Sequence, residues 1–129
     1  MKGAMLVAED PAVFEDVRRI LLAHGADAGA VGVHEYVQVR DDRDRLLMAY
    51  SYPPELAADY RDGSFTLGSG PAIPDMSRMT GVMIECRWED LFVNTVALLA
   101  LELTYRCWVL DGSDVIWAGE ALDPERIRL

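Results

Sequence analysis

Lysine is nearly absent from this sequence: Lys2 is the only one in 129 residues, and the other eleven basic residues are arginines. The glycine-rich stretch 63–70, Gly-Ser-Phe-Thr-Leu-Gly-Ser-Gly, thus has no lysine to set against a phosphate and reads as a flexible loop. Cysteine and histidine are scarce too, with two of each. His24 and His34 stand ten residues apart with no CxxC or HxxxH spacing beside them, so no metal site is expected. His34 and Glu35 are neighbours on an expected strand and point to opposite faces, which argues against an acid–base pair. Ser64, Ser69 and Ser77 lack the GxSxG elbow that activates a serine. Cys86 and Cys107 lie in apolar runs, where unreactive buried thiols are found. No catalytic residue and no cofactor is expected.

Long apolar runs are missing as well. The longest, 91–103, contains Asn94, Thr95 and Glu102 and is too short to span a membrane. Near the N-terminus, Glu9 and Asp10 interrupt the apolar stretch before a secretion signal can form, so the expected location is the cytoplasm, with reduced cysteines.

Acid and apolar residues are what the chain does have. Half of the composition is hydrophobic, enough for one domain with a substantial core, and the net charge is −10. Such a chain repels nucleic-acid phosphates and anionic lipid, whereas a basic protein partner is electrostatically favoured. Asp41, Asp42, Asp44, Asp59 and Asp62 mark one acidic region, partly offset by Arg43, Arg45 and Arg61. Between positions 85 and 125 the imbalance is larger, with nine acids against Arg87 and Arg106. The residues expected to meet a partner are therefore Asp41, Asp42, Asp44, Asp59, Asp62, Asp111, Asp114 and Glu120, any of which serves solubility equally well if no partner exists. Tyr36, Tyr50, Tyr52, Tyr60, Trp88, Trp108 and Trp117 divide between core and interface anchors.

Periodicity supplies the elements. A short strand at Met5–Ala8 precedes a helix of about four turns, in which Val13, Phe14, Val17, Ile20 and Leu21 share a face. Asp10 caps it, Pro11 takes the first helical position and Gly25 its exit. The small-residue stretch 26–30 reads as loop. Val33–Arg40 and Leu46–Tyr52 alternate as the strands of a hairpin, closed by Pro53-Pro54. A short helix at Glu55–Tyr60 is followed by a loop, 63–79, long enough to roof a pocket. Gly81–Arg87 is a third main strand, and 91–103, apolar almost all round, is expected as the buried central helix. Tyr105–Leu110 and Val115–Ala118 form a second hairpin, and the tail from Glu120 is expected to be peripheral. With most strands consecutive in hairpins, the fold class is α+β, a mostly antiparallel sheet with two main helices in a single-domain sandwich covering residues 1–129.

Met5-Leu6-Val7-Ala8-Glu9-Asp10-Pro11 followed by an amphipathic helix resembles the opening of a response-regulator receiver domain. That chemistry needs a late lysine beside the phospho-acceptor aspartate, and no lysine follows Lys2. Over residues 80–120, a strand, an apolar helix and the hairpin Cys107-Trp108-Val109-Leu110-Asp111-Gly112-Ser113-Asp114-Val115-Ile116-Trp117 resemble small immunity proteins of bacterial polymorphic toxin systems in architecture. The resemblance implies a cytoplasmic protein that binds and neutralises one cognate toxin domain through an acidic surface, performing no chemistry itself. A small-ligand or enzyme domain with a pocket under 63–79 and a homo-oligomeric structural subunit are the alternatives.

Overall fold

The computed structural model describes residues 2–129. Its centre is β1 (Gly3–Ala8), which pairs antiparallel on both sides and is buried on both faces from Ala4 to Ala8. Helix α1 (Val13–Ala23) follows. It starts two residues later than the sequence suggests, because Asp10 Oδ1 accepts from the Ala12 amide at 2.9 Å and holds Pro11 and Ala12 in a turn ahead of the helix, leaving three turns rather than four. Gly25 at φ +92° ends it, with the Ala26 amide bonded to Leu21 O and the Gly25 amide to Leu22 O, a Schellman arrangement.

The stretch expected as a loop after α1 contains a strand, β2 (Asp27–Val31), paired with β3 (His34–Arg40) through the two-residue turn Gly32-Val33. Gly32 adopts φ +62°, the left-handed geometry that tight hairpins need. β4 (Leu46–Ser51) completes the first hairpin as expected. A 3₁₀ turn (Pro54–Leu56) and the short α2 (Ala58–Arg61) come next. The 63–79 stretch is packed down: β5 (Thr66–Leu67) lies parallel to the last strand, Ser69 Oγ accepts from the Ala118 amide at 3.0 Å, and Met76 and Met79 are buried. β6 (Thr80–Cys86), α3 (Glu89–Glu102), β7 (Trp108–Leu110) and β8 (Val115–Ala118) complete the chain.

All eight strands join one sheet in the order β2-β3-β4-β6-β1-β7-β8-β5, antiparallel except for β5 on β8, and the molecule is a single α+β domain with three helices among the described residues. One face carries Leu6, Val37, Leu47, Ala49, Val82, Ile84, Val109 and Trp117 against α1 and α3. On the other face, Met5, Val7, Trp108, Leu110 and Ile116 pack under Ala57, Tyr60, Met76 and Met79. That cover reaches only half of the sheet.

Two further expectations need correction. α3 is not the buried centre: it lies in a single layer on the sheet, burying Leu91, Phe92, Thr95, Val96 and Leu99 while Leu101 is 81% exposed. Nor is the tail peripheral. Ile127 enters the main core, the Gly112 amide donates to Arg128 O at 2.6 Å and the Arg128 amide donates to Asp111, tying the tail to the hairpin turn. Among the described residues no helix is long and apolar enough to cross a membrane.

Candidate docking surface

The acidic residues singled out in the sequence are dispersed by the fold. Asp41 and Asp44 belong to the β3–β4 turn: Asp41 accepts from the Arg43 and Arg45 amides and from Arg45 Nε, and Asp44, at φ +63°, pairs with Arg40. Partial burial would raise the Asp41 carboxyl, but these hydrogen bonds outweigh it and hold the group below the usual carboxylate range. Asp42 is exposed in the same turn. Asp59 accepts from the Tyr52 hydroxyl at 2.5 Å, and Asp62 is exposed just after α2. Asp111 is turned inward, 5% exposed, with both oxygens engaged by the fold, so it is unavailable to a partner. Asp114 is exposed in the β7–β8 turn, and Glu120 pairs with Arg106 at 3.3 Å.

Four of the nine acids between positions 85 and 125 are engaged by groups from elsewhere in the chain. Glu89 faces Lys2, Asp90 takes two hydrogen bonds from Arg45, Glu102 lies 2.5 Å from His24 Nε2, and Glu85 accepts from the Tyr50 hydroxyl at 2.6 Å. Linear charge counting could not show this, since the partners come from the N-terminus, the β3–β4 turn, β4 and the end of α1.

Three carboxylates without partners line one cleft. A cleft of about 550 Å³ opens between the first turn of α1, the β2–β3 turn and the segment after β4. Glu15, Glu35 and Glu55 line it, together with His34 and the apolar Phe14, Ala30, Val33, Pro53 and Pro54. No lysine or arginine lines the cleft, and none of these three glutamates takes part in a salt bridge or side-chain hydrogen bond among the described residues. Beside it the β2–β3 hairpin carries Val31 at 71% and Val33 at 91% exposure. Sequence reasoning passed over this site because its parts lie some forty residues apart from Glu15 to Glu55. The one local signal was the Gly32-Val33 pair, a two-residue hairpin turn with glycine first.

The uncovered half of the sheet adjoins the same edge. Registered pairing aligns Gly29, Tyr36, Tyr50 and Met83 in one row and Asp27, Gln38, Met48 and Glu85 in the next. The Tyr36 phenol lies over Gly29, so a Cβ there would have to displace the ring. Burial, reinforced by the Glu85 carboxylate, pushes the Tyr50 hydroxyl up to about 12, so it stays a neutral donor. Tyr36 and Tyr50 are thus half-buried on an open platform, while Tyr60, Trp108 and Trp117 are core. Trp88 is half-buried beneath the Arg45 guanidinium, 5.5 Å from its ring centre, and Tyr52 packs edge-on against Tyr60.

Reactive groups are held quiet. Cys86 and Cys107 are buried free thiols, and desolvation pushes Cys107 up to about 12. His24 closes the end of α1 and His34 rims the cleft. Among the described residues no cluster of three or more His, Cys, Asp or Glu is arranged to hold a metal ion. No protein-family model, curated protein or solved structure matches the chain.

Proposed function

We propose that the protein is a non-catalytic binding protein of the immunity type, which holds and neutralises a cognate basic toxin domain in the cytoplasm. The observation that carries this reading is the cleft lined by Glu15, Glu35 and Glu55 without a matching cation, beside a hairpin exposing Val31 and Val33. Unpaired carboxylates around an apolar floor suit arginine and lysine side chains, whose aliphatic stems lie on the floor while their heads meet the acids. The exposed valines add apolar contact at the rim, and the net charge of −10 draws a cationic partner in from a distance.

The test is binding and neutralisation of the protein encoded by the adjacent gene. The reading expects a one-to-one complex, slower to form as salt rises because screening removes the long-range attraction, and loss of the partner's toxicity on co-expression. A neighbouring gene product that neither binds nor is neutralised overturns it.

A further inference from the structure

We propose that β2 is a recognition edge, to which a partner adds an extended segment as a ninth strand, with basic side chains on the α1 side and apolar ones on the other. β2 ends the sheet, and four of its five residues are exposed. It carries no lysine or proline, and its only charge, Asp27, lies at the end away from the turn, leaving Ala28–Val31 unguarded. The Gly32-Val33 turn closes on the Val31–His34 pair, so Asp27, Gly29 and Val31 direct their backbone groups to β3. The N–H and C=O groups of Ala28 and Ala30 therefore face outward, ready for a further antiparallel or parallel strand.

The two sides of that edge differ in chemistry, which identifies the occupant. Ala28 and Ala30 project to the α1 side, where Ala30 and Glu35 line the cleft with Glu15 and Glu55. Asp27 and Val31 project to the open platform, with Gly29 between them under the Tyr36 ring, and toward the turn that side is apolar through the exposed Val31. An added strand has alternate side chains on opposite faces, so the best fit alternates basic and apolar residues. A second copy of this chain fits poorly, since two chains of net charge −10 would meet. This inference rests on the basic-partner reading and specifies how the partner is held.

The probe is a short synthetic peptide alternating lysine and valine, compared with one of the same composition in which lysines and valines form separate blocks. Binding to the whole protein is measured by calorimetry, with amide hydrogen exchange of Ala28 and Ala30 followed in the complex. The alternating peptide is expected to bind at least about tenfold more tightly than the block peptide and to slow exchange at both amides. Ala30→Pro, which removes one outward donor from an edge position where proline is tolerated, should abolish the preference while keeping the native melting temperature. Should that variant misfold, the exchange pattern of the unaltered protein decides alone. Equal binding of the two peptides, or unchanged exchange at Ala28 and Ala30, overturns strand addition. Binding of the neighbouring gene product in that case leaves the basic-partner reading standing.

Discussion

Trp117 donates from its indole Nε1 to Asp111 Oδ2 at 3.0 Å, joining β8 to the first residue of the turn that precedes it. The same buried carboxylate accepts from the Ser113, Val115 and Arg128 amides, so one side chain shapes the hairpin turn and anchors the C-terminal tail. Removing it leaves these donors without a partner in a place where water reaches poorly. Asp111→Ala should cost about 3 kcal/mol in urea unfolding, and Asp111→Asn about half of that because the amide oxygen keeps some of the bonds. Unchanged stability of Asp111→Ala would show the carboxylate to be incidental.

Arg45 gives the acid limb of stability. It bonds Asp41 and Asp90 together, and hydrogen bonding to its guanidinium holds the Asp90 carboxyl below the ordinary value of 3.8, as the Arg43 and Arg45 donors do for Asp41 against partial burial. Carboxyls lowered in the folded state bind fewer protons than in the unfolded chain. Their contribution is therefore present above the ordinary carboxylate range and fades as pH falls through the lowered folded values. Arg45→Met should lower the melting temperature at neutral pH and flatten its decline on acidification. Parallel curves for the two proteins between neutral and strongly acidic pH would contradict the linkage.

The fold was legible in the sequence wherever periodicity and end signals agreed. α1 showed both its apolar face and its Gly25 exit, and β3, β4 and β6 alternated because one face of each meets the helices. β2 was hidden because its residues are small and mostly exposed, so burial imposed no pattern on them. α3 misled in the opposite direction. Its outer face is apolar at Leu101 without being covered, and composition cannot distinguish a buried helix from one lying on a sheet. Which acids are free was hidden for a third reason: a carboxylate's availability depends on its partner, and Lys2, Arg45 and His24 find theirs across the fold.

The thiols should be silent in the native protein. Desolvation raises both Cys86 and Cys107, the latter also under the influence of Glu120, so little thiolate exists at neutral pH. A thiol reagent is expected to label neither group until denaturant is added, and then to label both. Because the folded Cys107 value lies above the ordinary 9.0, its contribution to stability is complete below that pH and is lost as pH rises toward about 12. Rapid labelling of the folded protein would place these sulfurs at the surface, against their burial here.

Two acidic regions compete to be the docking surface, and charge reversal separates them. Glu35 lines the cleft beside the β2–β3 turn, whereas Asp42 sits in the turn at the opposite end of β3, and both are exposed. Glu35→Lys with Glu55→Lys changes net charge as much as Asp42→Lys with Glu125→Lys, so the long-range field falls equally in both variants. Neither pair should shift stability by more than about 1 kcal/mol, since none of the four side chains is buried. Glu15 is better tested as Glu15→Gln, because a lysine in the first turn of α1 would oppose the helix dipole. If the cleft makes the contact, its double reversal should weaken binding of the proposed basic partner by about a hundredfold, mostly through faster dissociation, while the distant pair slows association modestly. The reverse ranking would move the interface away from the cleft, to the β3–β4 turn or the C-terminal tail, which Asp42→Lys and Glu125→Lys made singly would separate. Equal losses would mean that only the overall charge matters.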